Sequence, residues 1–256
     1  MKLRHLFGLT CALVLLVATT AAAAETERVQ KTVPLAPGGT LRVDNFSGRV
    51  TITATDRAEV VIDAVRRATR DRLDRIKLDV QASGATVHIQ ANKKVSSSWW
   101  DWHGNNVVET EMDIQVPRHT NLEIEVFSSP VKVTGITGEH RIHTFSADAH
   151  LNDVTGRVRA ETFSGTIDVQ LAAAASRPDL DLHTFSGDIN VRVPATARAD
   201  VDFNSFSGDL TSDVPLVLRS KSRRSLRGEL NGTGADHTAP NSISLKTFSG
   251  DVRIRS

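Results

Sequence analysis

One short motif, Phe-Ser-Gly preceded by a hydroxyl or amide residue, recurs along this chain and constrains its fold more than any other feature. It stands as Asn45-Phe46-Ser47-Gly48, Thr144-Phe145-Ser146-Ala147, Thr162-Phe163-Ser164-Gly165, Thr184-Phe185-Ser186-Gly187, Ser205-Phe206-Ser207-Gly208 and Thr247-Phe248-Ser249-Gly250. A degenerate copy is Val126-Phe127-Ser128-Ser129. From Phe127 onward the Phe-to-Phe steps are 18, 18, 22, 21 and 42 residues; the last is twice 21, as if one copy had been overwritten. A fixed period near 20 marks an array in which each unit buries its apolar face only by stacking on its neighbours.

The flanks of the motif read as strands. Apolar residues fall five and three places before each Phe, as in Leu122/Ile124, Leu180/Leu182, Val201/Phe203 and Ile243/Leu245. The positions between them are polar, as in Glu123/Glu125, Arg141/His143 and Asp181/His183. That alternation is the period of a half-buried strand. A second short strand follows the glycine, with apolar residues four and six places beyond the Phe: Val131/Val133, Ile167/Val169, Ile189/Val191, Val252/Ile254. Ser-Gly-Asp between the two is turn chemistry. Each unit is strand, corner, strand, corner, with no helical crossover. The expected fold is all-β, a single right-handed β-solenoid of short strands with one rung per repeat.

The first 24 residues read as a secretory signal peptide: Lys2, Arg4 and His5, then an apolar run from Leu6 to Val17, then Ala22-Ala23-Ala24 as the cleavage site. The apolar run is short for a membrane span, which needs roughly 20 residues. Cleavage removes the one cysteine, Cys11, and leaves 29 Lys+Arg against 30 Asp+Glu. That excludes a disulfide framework and a cysteine zinc site. The even balance of charge argues against nucleic acid as a partner. No second apolar stretch follows, so no transmembrane segment is expected after cleavage, and the location expected is the periplasm or cell surface.

Residues 25–256 form the expected β-repeat domain, with an irregular N-terminal part at 25–116 and regular rungs at 117–256. Leu41 to Phe46 already carries the repeat signature, so rungs begin there. Ala58 to Val65 reads as a strand, Arg66 to Arg75 as room for a short helix, Ile76 to Val80 with Thr86 to Gln90 as a hairpin, and Val108 to Val116 as a strand. The Thr-Phe-Ser-Gly-Asp-(Ile/Val) array resembles a bacterial family of exported β-strand-repeat proteins labelled adhesins, of unknown function. Val116-Pro117-Arg118 before the regular rungs and Gly228-Glu229-Leu230-Asn231-Gly232 before the last one carry the same resemblance. It covers roughly residues 30–256 and implies an exported all-β solenoid that meets a surface partner.

Four features are candidate sites. The first is the Phe column: Phe46, Phe127, Phe145, Phe163, Phe185, Phe206 and Phe248. Strict alternation points these rings outward, as a ladder stepping about 4.8 Å per rung. The general preference of Phe for the interior instead favours a corner that breaks the alternation and buries or partly buries the rings. The second is a ladder of alternating charge two places before each Phe: Glu125, His143, Glu161 and His183. It reads as solvated pairing that strengthens when imidazole charges below about pH 6.5, rather than as a metal site. The third is Ser98-Trp99-Trp100-Asp101-Trp102-His103, with every Trp of the chain inside four residues. Trp99, Trp100 and Trp102 suit either a binding loop for sugar rings or a cap over an open sheet edge. The fourth is Arg219, Lys221, Arg223, Arg224 and Arg227, a basic cluster for anionic envelope components, expected on a solvated loop inside the long 206-to-248 interval.

Corner acids Asp188, Asp209 and Asp251 could form a carboxylate column, with Asp188 and Asp209 in adjacent rungs. Gly-Asp is ordinary turn chemistry, and the Gly-rich calcium repeat is missing. No nucleophile motif occurs, and no cofactor, metal or catalytic residue is expected. The function expected is an exported, non-catalytic structural or adhesin-like module that presents a repetitive surface to an envelope polysaccharide or envelope protein. The alternatives are a carbohydrate-active β-helix enzyme using Asp181 and Asp202, or a periplasmic protein-binding scaffold.

Overall fold

A computed structural model describes residues 24–94, 107–232 and 241–256. The signal-peptide residues 1–23 and the Trp99, Trp100 and Trp102 segment lie outside the described residues. The chain opens with β1 (Glu25–Pro34), β2 (Thr40–Ser47), β3 (Val50–Thr55) and β4 (Glu59–Ala68). A short helix, α1 (Arg70–Arg75), leads to β5 (Ile76–Ser83), β6 (Thr86–Lys94) and β7 (Glu109–Pro117). The regular region follows as pairs: β8 (Asn121–Ser128) with β9 (Val131–Thr134), β10 (His140–Ser146) with β11 (Ala149–Val154), β12 (Arg157–Ser164) with β13 (Ile167–Leu171), and β14 (Asp179–Ser186) with β15 (Ile189–Arg192). Then come β16 (Ala199–Ser207), β17 (Leu210–Ser212), a hairpin of β18 (Leu216–Lys221) and β19 (Ser225–Leu230), and finally β20 (Ser242–Ser249) and β21 (Val252–Arg255).

The strands build two mixed sheets, so the described fold is all-β apart from α1. The ten-stranded sheet runs β1-β4-β7-β3-β9-β11-β13-β15-β21-β17. The eleven-stranded sheet runs β18-β19-β16-β20-β14-β12-β10-β8-β2-β6-β5. Each Phe-Ser-Gly corner passes the chain from the eleven-stranded sheet to the ten-stranded one. A strand on each side of that corner makes one rung, and neighbouring rungs pair in parallel in both sheets. Side chains facing inward from the two sheets form one continuous core. Leu122 and Ile124 align with His140 and Ile142, then Val158 and Ala160, then Leu180 and Leu182. All of these are buried. The positions predicted from the alternation are therefore the core.

The order of the rungs departs from the order of the sequence. The last rung, β20 with β21, lies between β14/β15 and β16/β17. The first, β2 with β3, lies between β6/β7 and β8/β9. Asp251 thus separates Asp188 from Asp209, and the two are not in adjacent rungs as expected. The long 206-to-248 interval is filled by β17 and the β18–β19 hairpin, which lies antiparallel on β16. At the opposite end β5 pairs antiparallel with β6, and β4 with β7 and β1. At both ends of the eleven-stranded sheet, and at the β1 end of the ten-stranded one, pairing changes from parallel to antiparallel, which occupies edges that a bare rung would leave open.

Candidate functional site

The corner explains where the Phe rings go. Its backbone carbonyls point into the interior and need donors. In four copies the residue before Phe provides one: Thr144 Oγ1 donates to Ala147 O (2.9 Å), Thr162 Oγ1 to Ala147 O (3.4 Å), Thr184 Oγ1 to Gly165 O (3.4 Å), and Asn45 Nδ2 to Gly48 O (3.0 Å). These polar residues are buried. With the hydroxyl turned in, alternation turns the following Phe out. The corner does not break the alternation: all seven rings point outward, and stacking leaves them partly buried, 40–53% exposed. The glycine two places on admits the tight corner. Gly187 has φ +150°, and a Cβ on it would lie 2.1 Å from the Gly165 carbonyl oxygen of the next rung.

The seven rings stack in rung order: Phe46, Phe127, Phe145, Phe163, Phe185, Phe248, Phe206. Centroids are 4.7–5.1 Å apart and the planes agree within 2–6°. Ring faces are spent on one another, so the column presents ring edges to solvent. At one end Arg224 lies over the Phe206 ring, 4.1 Å from its centroid. At the other end the column stops, because Asp44 pairs with Gln90 and Asn92 follows where a further Phe would stand. A groove of about 680 Å³ opens there between Phe46, Phe127 and Phe145 on one side and Gln90, Asn92 and Lys93 on the other. A second hollow of about 380 Å³ continues it along His143, Glu161 and His183 to Phe185.

Charged residues run beside the rings in two columns. Two places before each Phe, in stack order, stand Asp44, Glu125, His143, Glu161, His183, Lys246 and Asn204. The predicted alternation of Glu125, His143, Glu161 and His183 on successive rungs is present in the register. His143 Nδ1 lies 3.4 Å from Glu161, whereas His183 turns to Asp181 on its own strand at 2.7 Å. His88 meets Asp44 at 2.8 Å. Four places before Phe, Glu123 holds both Arg42 (2.7 Å) and Arg141 (3.3 Å). Glu125 and Lys246, both exposed, have no ion-pair partner among the described residues. Lys246 escaped the sequence reading because it lies next to His183 only once β20 is known to sit beside β14.

The basic cluster belongs to the hairpin, and the expected solvated loop is corrected. Arg219 on β18 pairs with Asp200 (3.0 Å) and Glu229 (3.2 Å), and Arg227 on β19 with Asp202 (3.2 Å). Antiparallel pairing of β19 with β16 puts these guanidinium groups over the strand's acids. Lys221, Arg223 and Arg224 are exposed around the turn. The cluster thus divides into a paired half that anchors the hairpin and an exposed half at its tip.

The corner acids form a staircase of backbone contacts. Asp188 Oδ1 accepts from Asp251 N–H (2.9 Å), and Asp251 Oδ1 from Asp209 N–H (3.2 Å). The Asp251 N–H and then the Arg253 guanidinium hold the Asp188 carboxyl below its ordinary range. Asp181 and Asp202, the acids of the carbohydrate-active alternative, instead face outward from the eleven-stranded sheet, apart from the corner acids. Among the described residues no cluster of three His, Cys, Asp or Glu could hold a metal ion. No helix among them is long and apolar enough to cross a membrane.

Parallel rungs, hydroxyl-bonded corners and an outer aromatic column define an all-β repeat protein. The family model described as Toastrack DUF4097 matches residues 121–255, just over half of the chain, and the chain belongs to that family. No curated protein sequence matches it. Among solved structures it is similar to a candidate cell adhesion protein from Clostridium sporogenes, with 12% identity, TM-score 0.46, and 90% of this chain and 99% of that one covered. It is also similar to a candidate adhesin from Bacteroides fragilis (7%, TM-score 0.38, 89% and 97% covered). A candidate lipid binding protein from Parabacteroides distasonis matches at 8% and TM-score 0.33, with 90% and 97% covered.

Proposed function

We propose that this chain is an exported, non-catalytic, adhesin-like module of the cell envelope, and that it works by offering a rigid repetitive surface to a macromolecular partner. Residues 1–24 act as the signal peptide, and residues 25–256 form a single right-handed β-solenoid domain. One observation carries the reading: the outward Phe ladder. At about 200 Å² per Phe side chain, the exposed rings amount to about 600 Å² of contiguous apolar surface. That is at the upper limit of what a soluble monomer leaves uncovered, and larger patches mark interaction sites.

Ring edges suit an apolar or proteinaceous partner better than a sugar, which stacks on ring faces. Recognition of envelope polysaccharide falls instead to Trp99, Trp100 and Trp102, in the sequence between β6 and β7. The exposed tip of the hairpin, Lys221, Arg223 and Arg224, with Arg219 and Arg227 anchoring it, adds attraction for anionic envelope groups. The test is retention of the purified protein on a cell-envelope preparation. Phe127→Ser with Phe185→Ser should lower retention at least about tenfold with the far-UV circular dichroism unchanged. Trp99→Ala with Trp102→Ala should remove the part that free envelope polysaccharide competes away. Undiminished retention in both folded variants overturns the proposal.

A further inference from the structure

One pair of opposite charges beside the ladder stands symmetrically about its middle. Of seven rungs, Phe163 occupies the fourth. Glu125 flanks the second ring and Lys246 the sixth, and these exposed, opposite charges have no ion-pair partner among the described residues. In the same outer column Asp44, His143, Glu161 and His183 are engaged with neighbours of their own sheet. At the ladder's ends, Asp44 stands beside the first ring and the Arg224 guanidinium over the seventh.

We infer that the Phe ladder is the seam of a two-fold dimer in which two copies of this chain lie antiparallel, with Phe163 of each at the axis. Rotation about that axis brings the second rung of one copy to the sixth of the other. Glu125 then meets Lys246 twice. A parallel two-fold would put the charged columns on opposite sides of the seam and leave Glu125 and Lys246 without partners. The spacing also selects the partner. A column repeating at 4.7–5.1 Å over seven rings stays in step only with a surface of the same repeat, and a second copy has it. Edges facing edges in register can close as a dry seam. The phenyl strip of about 600 Å², widened by the charged column, approaches the roughly 800 Å² per partner of a stable interface. The dimer rests on the ladder being the interaction surface, and it names that surface's partner. It also sets the basic hairpin of one copy beside the β6–β7 end of the other, giving two equivalent outer ends.

Sedimentation velocity on the purified protein at about 10 µM should give the mass of two copies. Glu125→Lys alone and Lys246→Glu alone should each weaken the dimer at least about tenfold, and the two together should restore it. Both residues are exposed, so none of these variants disturbs the core. Phe163→Glu should give a folded monomer. A monomeric wild-type protein, or a dimer strengthened by Glu125→Lys alone, overturns the antiparallel seam. If the protein is monomeric while Phe127→Ser with Phe185→Ser still lose envelope retention, the dimer falls and the ladder remains a binding surface. If those variants change neither mass nor retention, both readings fall.

Discussion

His140 offers a direct test of how the core is held. It occupies the inward column where adjacent rungs have Leu122 and Val158, and it is fully buried. Nε2 reaches the Thr155 carbonyl at 3.2 Å, while Nδ1 has no partner. Burial is the main cause that pushes the imidazole from its ordinary 6.5 down to about 4, against smaller opposing effects of the Thr155 carbonyl and Glu139. The folded state therefore keeps His140 neutral where the unfolded chain takes up a proton. Stability from this residue is present above pH 6.5, is lost as pH falls from 6.5 toward 4, and levels off below. About 2.5 pH units at 1.36 kcal/mol each put the loss near 3 kcal/mol. His140→Leu removes that proton uptake and matches the neighbouring column. At pH 7.5 it forfeits one hydrogen bond, about 1 kcal/mol, and relieves the unpartnered Nδ1. Urea unfolding of both proteins at pH 7.5, 6, 5 and 4 measures the difference. The variant should be close to wild type at pH 7.5 and more stable by about 2–3 kcal/mol at pH 4. Stability curves that stay parallel over the whole range would falsify the assignment of a buried neutral imidazole.

The corners and their acids make two further predictions. Gly187→Ala should cost more than about 3 kcal/mol, because its Cβ meets the Gly165 carbonyl and its φ is left-handed; a thermal midpoint within a few degrees of wild type would count against the close stacking. Asp188, held below its ordinary pKa by the Asp251 N–H and Arg253, stabilises the fold above the unfolded carboxylate range and loses that effect as pH falls through its folded value. Asp188→Asn should therefore flatten the acid limb of the stability curve below about pH 4, read by circular dichroism during acid titration.

Much of this architecture was legible in the residues. The in-and-out pattern around each Phe identified the core columns, because strand geometry leaves only two faces for a side chain. The outward direction of Phe was legible too, yet the interior preference of Phe argued against it. What decided the matter was the corner's need for hydrogen-bond donors, which Asn45, Thr144, Thr162 and Thr184 meet. A hydroxyl stood in five of the seven copies and an amide in a sixth, and that signal outranks a ring that stacking on its neighbours already half covers. Rung order was not legible. Every rung has the same alternation, so pattern fixes the register between any two rungs without saying which two are neighbours. The choice of neighbour comes from the hairpin on β16 and the antiparallel strands beyond β6, which are nonlocal. For the same reason Lys246 could not be placed in the charged column, and the basic cluster read as a loop.

The placement of the first and last rungs bears on how the molecule carries load. An end strand on a sheet edge can be peeled away one hydrogen bond at a time. Here β20 is bonded on one side to β14 and on the other to β16, and β21 to β15 and β17. A pull on the C-terminus must therefore slide a rung out from between two others, shearing four parallel ladders together. At the N-terminal side β1 can peel from β4, after which β2 and β3 meet the same two-sided grip. A protein tethered through its ends would thus yield first at β1 and then resist as a clamp.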